Sequence, residues 1–268
     1  MHINVNGQTT YAYTGGKHFN PALPTVVLIH GVLCDHSVWA LQSRYLANHG
    51  WNVLAIDLPG HCRSEGAPPA TVQDAAHFIQ ALLNGQGVQQ AALVGHSFGS
   101  LIALQTAANM GERISHLVMV GTAYPMKVSQ ALLDASLNEP EKALHMTNVF
   151  SRATLAPPSG AGSWVFGASL ALGRRVLASN PSANVFHTGF NACNNYDQGL
   201  QAMAAVTCPV LMVLGEGDQM TTPKNAQPLI AQAHESGKRL QVVTIPHGHH
   251  QMSESPDETL DALIAFLC

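Results

Sequence analysis

Charge is scarce in this sequence. Lys and Arg number 12 and Asp and Glu 16 among 268 residues, so charged side chains make up 10%, against roughly 25% in an average soluble domain. The balance is mildly negative, and no basic run exceeds the adjacent pairs Arg174-Arg175 and Lys238-Arg239. Nucleic acid is therefore excluded as an expected partner, because neutralising phosphates takes a concentrated basic patch. A surface with so few charges suits an apolar ligand or self-association instead, and a homodimer is compatible with it. Long apolar runs are missing too. No stretch of ~18 uncharged apolar residues occurs, and Met1 to Gly7 shows no basic segment followed by an apolar one. The expectation is a cytoplasmic protein with no membrane span. The cysteines, at 34, 62, 193, 208 and 268, are odd in number and contain no C-x-x-C pair. They read as free thiols in a reducing compartment.

Hydrophobic residues reach 46%, ample for one large domain or a domain carrying an insertion. Residues 3–5 and 11–13 flank an Asn6-Gly7 turn and predict a short hairpin. Continuous apolar, mostly β-branched runs at 25–29, 53–56, 91–94, 117–120, 210–214 and 240–245 read as strands, most of them buried on both faces. Helix-compatible stretches near 37–49, 71–84, 98–109, 222–236 and 256–267 alternate with them. That alternation predicts an α/β fold with a mostly parallel sheet and helices on both faces, whose functional loops lie at the carboxyl ends of the strands. The rhythm breaks once, between Thr122 and Cys208, where helical patterns and a Pro/Gly loop at 156–162 replace any strand. This divides the chain into a core, 1–122 and 206–268, and an inserted helical cap, 123–205. Gly160 and Gly162 do not make a phosphate loop, since no strand precedes them and no Lys-Ser/Thr follows. No cofactor is expected.

The most informative segment is Gly95-His96-Ser97-Phe98-Gly99, where an apolar strand stops and a helix begins. A serine hydroxyl is a weak nucleophile, so a fold that uses one holds it on a sharp exposed turn beside a base and an oxyanion site. Ser97 is the candidate nucleophile, and the flanking glycines let strand and helix pack closely around it.

Such a serine needs a base, and the base needs an acid to orient it. After the strand ending at Leu214, the turn Gly215-Glu216-Gly217-Asp218 offers two carboxylates; Asp218 is the preferred acid and Glu216 its competitor. Asp57 also follows a strand, but it precedes the serine in the chain and suits a turn-stabilising role. After the last strand, His247-Gly248-His249-His250 supplies three imidazoles. His249 is the preferred base because Gly248 permits a tight approach, with His250 as runner-up. The alternative for this cluster, a zinc site shared with His36 or Cys34, lacks a carboxylate or thiol at recognised ligand spacing, so no metal is expected. The developing oxyanion requires two donors. The Phe98 amide, next to the nucleophile, is one, and the Val32 amide in the loop after the first long strand is the other. His30 fits a loop-bracing role, and Cys34 a small buried hydrophobe rather than a reactive thiol.

Taken together, His30-Gly31 with Trp39 beyond it, Asp57-Leu58-Pro59-Gly60-His61, Gly95 to Gly99, Gly215 to Asp218, and Gly248-His249 with Glu254-x-Pro256 resemble the α/β-hydrolase superfamily in its capped, cofactor-independent branch. The match covers roughly 23–122 and 206–267. The resemblance implies an eight-stranded, mainly parallel sheet, a Ser97, His249, Asp218 triad and Phe98 and Val32 amides at the oxyanion hole. Two features depart from the pattern: Ser100 stands where many relatives carry a second glycine, and His249-His250 is doubled. Relatives that are epoxide hydrolases or haloalkane dehalogenases resemble one another in having Asp at the elbow, so Ser97 argues against those activities.

The expected function is a serine hydrolase acting on a small to medium, largely apolar carboxylic ester. Carbon-carbon bond hydrolases, lactonases, thioesterases and acyl-carrier methyl esterases use the same constellation. A ligand-sensing protein without turnover is the rival from another class. In the cap, Met126, Leu132, Leu133, Met146, Phe150, Trp164, Phe166, Leu170, Phe186, Phe190 and Tyr196 are the apolar candidates, of which only a few are expected to line a pocket.

Overall fold

Runs such as Thr25-Val26-Val27-Leu28-Ile29 carry no polar face, so they are stable only where both faces of a sheet are covered. In the computed structural model, which describes residues 1–152 and 165–267, that is where they lie. The Pro/Gly loop 156–162, Trp164 and Cys268 fall outside the described residues. Eight strands form one sheet: β1 (His2–Val5), β2 (Gln8–Tyr13), β3 (Thr25–Ile29), β4 (Asn52–Ile56), β5 (Ala91–His96), β6 (Ile114–Val120), β7 (Val210–Gly215) and β8 (Leu240–Ile245). Their order is β1-β2-β4-β3-β5-β6-β7-β8. The β1–β2 hairpin turns at Asn6-Gly7, with Val5 opposite Gln8. β2 meets β4 antiparallel, and every later pairing is parallel. All residues of β3, β4, β5 and β7 are buried, whereas β8 closes one edge half exposed.

Helices cover both faces. On one lie α2 (Val72–Gly85) and α3 (Phe98–Met110), packed into the larger core with Ile29, Leu93 and Met212. On the other, α1 (Ala40–Asn48) closes over Leu28, Val94 and Val213. The predicted helix near residue 37 is a 3-10 turn, His36–Trp39, capped by the Asp35 side chain, before α1 takes over. α3 is buried continuously from Phe98 to Ala107, as expected of a helix apolar all round that sits between a sheet and other helices.

Between β6 and β7 the chain leaves the sheet through α4 (Gln130–Asn138), α5 (Pro140–Phe150), α6 (Val165–Ser179), α7 (Val185–Asn195) and α8 (Gly199–Ala205). Leu132, Leu144, Leu170, Phe186 and Phe190 form a small core of their own there, which reaches down to Leu33 in the loop after β3. α8 instead packs against α3, and its Ala202 and Met203 join the main core. Polar links tie the excursion to the sheet's loops. Arg175 pairs with Asp35 at 2.6 Å, and Arg152 pairs with Glu254 at 3.2 Å, the latter pair almost wholly buried. The remaining helices, α9 (Gln227–Glu235), α10 (Gln251–Glu254) and α11 (Pro256–Leu267), complete the layers. Among the described residues no helix is long and apolar enough to cross a membrane.

Candidate active site

The switch in strand order beside β3 places the loops after β3 and β5 next to each other at the carboxyl edge of the sheet, the usual position of a crevice in open α/β sheets. β5 ends at His96 and α3 starts at Phe98, so Ser97 alone makes the turn, at φ 53° and ψ −118°. A non-glycine residue in that region is strained and persists only where its surroundings hold it. Here the Ser97 amide donates to the Val120 carbonyl at 2.9 Å, and its carbonyl accepts from the Ser100 amide at 2.8 Å and the Ser100 hydroxyl at 2.5 Å. The glycines make the turn possible. A Cβ on Gly95 would stand 2.0 Å from the Gly99 carbonyl oxygen, and one on Gly99 would stand 2.4 Å from that of Ile29.

His249 and Asp218 meet from the loops after β8 and β7. His249 Nδ1 lies 2.8 Å from Asp218 Oδ2, with both side chains buried. The carboxylate is held by its own turn: Oδ1 accepts from the amides of Met220 and Thr221 at 2.8 Å each, and Oδ2 accepts from the Thr221 hydroxyl at 2.7 Å. Burial works against the Asp218 charge, but the attraction of His249 and the hydrogen bonds from His249 and Thr221 outweigh it and hold the carboxyl below its ordinary range. A hydrogen bond from Nδ1–H to Asp218 leaves Nε2 of His249 as the basic nitrogen. Glu216 is exposed. His250 sits beside His249, their ring centroids 5.9 Å apart, and its own protonation is strongly disfavoured by burial and then by Arg152.

Ser97 and His249 line two adjoining chambers together with Val32, Phe190 and Met220. One is small, about 50 Å³, and extends past Leu33, Cys34 and Phe186. The other is about 270 Å³ and largely apolar, walled by Met126, Leu132, Met146, Phe150 and Cys193. Val32 thus stands at the junction, and Phe98 opens α3, where the first amides of a helix have no intrahelical acceptor and carry the positive end of its dipole. Of the other apolar candidates, Leu133 and Leu170 belong to the excursion's core, and the Tyr196 hydroxyl donates to Gln105 at 2.9 Å.

His30 braces the loops: it bonds the Gly31 carbonyl through Nδ1 at 2.8 Å and accepts from the Leu58 amide at Nε2 at 3.1 Å. Asp57 fixes the turn after β4, accepting from the His36 ring at 2.7 Å and from the Arg63 amide at 3.2 Å. Burial pushes the Cys34 thiol up to about 12, consistent with an inert small hydrophobe. Among the described residues, the group whose donor atoms lie close enough to share an ion is Asp35, His36 and Asp57, within 4.8 Å of one another, and it includes none of His247, His249 and His250. Its atoms are already engaged with Arg175, Ser37 and each other.

Three participants escaped the sequence reading. Thr221 was signalled only by its place three residues after Asp218, the spacing of a side-chain-capped turn. Ser100, in the position that departs from the family pattern, holds the Ser97 carbonyl and lies 2.9 Å from the Thr122 hydroxyl. Ser151 accepts the His249 amide at 2.7 Å from the end of α5, an arrangement with no local signal at all.

A family model described as alpha/beta hydrolase family matches residues 26–262. The sequence is 33% identical to the lipase LipV of Mycobacterium tuberculosis over 128 residues, 47% of this chain and 48% of that one, so the match spans about half the length of that relative. It is 24% identical over 247 residues to the (E)-2-((N-methylformamido)methylene)succinate hydrolase of Acinetobacter baylyi, covering 90% of this chain and 89% of the other. Among solved structures, an esterase from Exiguobacterium antarcticum superposes with a TM-score of 0.81 at 18% identity over 99% of this chain and 98% of its own. The enol-lactonase of Burkholderia xenovorans superposes with a TM-score of 0.80 at 20% identity, over 100% and 99%.

Proposed function

The chain belongs to the alpha/beta hydrolase family, and from that premise we propose that it is a serine hydrolase of small to medium, largely apolar carboxylic esters. The observation that carries the reading is a strained serine at a helix N-terminus sharing one cavity with a histidine whose far nitrogen is engaged by a buried carboxylate. His249 Nε2 takes the Ser97 proton as Oγ attacks the ester carbonyl carbon. The oxyanion of the tetrahedral adduct accepts hydrogen bonds from the Val32 and Phe98 amides. Collapse expels the alcohol, protonated by His249, and leaves the acyl group on Ser97. Water, deprotonated by His249, then releases the acid and restores the hydroxyl.

Residues 123–205 are our candidate for the cap over this site, because nine of the fifteen residues that wall the larger chamber, from Met126 to Cys193, come from them. At about 270 Å³ against about 50 Å³, the larger chamber is the one with room for a substrate substituent. Apolar walls favour an aliphatic or aromatic substituent. Hydrolysis of p-nitrophenyl esters of increasing acyl length by the wild type and Ser97→Ala tests the reading. Turnover by the first and none by the second is expected. Lactones, thioesters and vinylogous diketones belong in the same panel, since the same residues serve those carbonyls, and tight ligand binding without turnover of any of them would replace the enzymatic reading with a sensing one.

A further inference from the structure

His96 lies inside the elbow motif, yet nothing in the chemistry above uses it. Its ring is buried, 1% exposed, with its centroid 4.8 Å from that of His249. Nε2 lies 2.8 Å from the His249 carbonyl oxygen, 153 residues away in sequence. A carbonyl only accepts, so Nε2 carries the proton. Burial, and then the neighbouring His249, keep the ring from taking a second proton, its pKa falling to about 3. Nδ1 is buried without a hydrogen-bond partner, close beside Gly31: a Cβ there would come within 2.9 Å of it.

A ring with one buried, unpartnered nitrogen is poorer core filler than Leu, because the lost hydration of that nitrogen is not replaced. What the imidazole supplies that a hydrocarbon cannot is its single donor. That donor goes to the backbone of the proposed base, whose amide is already held by the Ser151 carbonyl and whose ring is held by Asp218. We propose that His96 is a positioning residue whose Nε2–H pins the His249 backbone to the nucleophile elbow, so that base, nucleophile and the Gly31-Val32 oxyanion loop keep one mutual register. The inference rests on the reading of Ser97 and His249 as nucleophile and base. It acts through His249, and His96 itself touches no reacting atom.

The test compares His96→Leu, which removes the donor, with His96→Gln, whose side-chain amide can reach the same carbonyl. Esterase kcat and KM are read for each against wild type and Ser97→Ala, with circular dichroism to verify folding. A misplacement of reacting groups lowers kcat more than substrate binding. The expected result is a kcat at least about tenfold lower for His96→Leu with KM within about twofold, and recovery of most of the loss in His96→Gln. A folded His96→Leu within about twofold of wild-type kcat, or a His96→Gln as impaired as His96→Leu, overturns the proposal. ¹⁵N-imidazole spectroscopy of the wild-type protein provides an independent reading that needs no variant to fold. A proton on Nε2 of His96 is expected, and one on Nδ1 overturns the proposal. An inactive wild type would sink the serine-hydrolase reading instead, and the spectroscopic arm keeps the two failures apart.

Discussion

The Thr221 hydroxyl lies 3.0 Å from His249 Nδ1, the nitrogen that the Asp218 carboxylate meets at 2.8 Å. Because the hydroxyl's one proton goes to Asp218, its lone pair faces the imidazole N–H, and Thr221 closes a three-membered polar cluster. Thr221→Val keeps the shape and removes the hydroxyl. A lost hydrogen bond to a charged group is worth about 1.4 kcal/mol or somewhat more. The expected outcome is a kcat reduced roughly tenfold with KM little changed. Steady-state kinetics on one ester checks it, and an unchanged kcat would mean that Asp218 needs no help in orienting the base.

Two carboxylates and two histidines compete on spacing alone; Asp218 Oδ2 lies 2.8 Å from His249 Nδ1, whereas Glu216 is exposed. Asp218→Asn is expected to lower kcat by about 10³-fold or more, since the amide favours the wrong imidazole tautomer. Glu216→Gln, at an exposed position, should stay within about twofold. His250→Gln should retain far more activity than His249→Gln. Kinetics on the four variants decides this, and the reverse ranking within either pair refutes the assignment.

The elbow glycines are sites of backbone contact. A Cβ at Gly95 meets the Gly99 carbonyl at 2.0 Å, a clash that no rotamer relieves. Gly95→Ala is expected to cost about 3 kcal/mol or more, visible as a sharply lower Tm or loss of soluble protein. A variant that melts with the wild type would show that the turn is laxer than described.

How much of this could be read from the sequence depends on whether an element announces itself locally. β3, β5 and β7 were legible because strands buried on both faces are unbroken apolar runs. β6 starts at Ile114, three residues before the run at Leu117, because Ser115 and His116 interrupt the pattern while the ladder with β5 continues. The candidate nucleophile was legible because strand, turn and helix are contiguous there. Thr221, Ser100, Ser151 and the donor of His96 were not, since short polar groups leave no periodicity and their partners come from distant segments. Glu216 and Asp218 share one turn, and only the meeting of β7 and β8 loops distinguishes them.

Acid should destabilise the fold through its buried histidines. His30, His61, His96 and His250 are all held below their ordinary range, in each case chiefly by burial, His61 to about 4 and His96 to about 3. In the unfolded chain such groups take a proton near about pH 6.5. Between the folded and unfolded values the unfolded state binds more protons, so stability is present above about pH 6.5 and is lost as the pH falls through that window. Tm measured from about pH 7.5 to about pH 4.5 should drop steeply with net proton uptake on unfolding, whereas a flat profile would contradict the burial of these rings.

On the proposed reading, the larger chamber receives the acyl chain and sets chain-length preference. Leu132→Trp, which narrows its wall, should lower kcat/KM for an octanoyl ester by about tenfold while changing that for an acetyl ester by less than about threefold. Equal losses on both esters would place the acyl group elsewhere.

The most direct test is to quench the enzyme with acid during turnover of an activated ester and locate the acyl group by peptide mass spectrometry. The account predicts a single acyl adduct on Ser97 that forms in a pre-steady-state burst and is missing from Ser97→Ala. Turnover with no covalent adduct, or with the adduct on another residue such as Cys34 or His250, would contradict it.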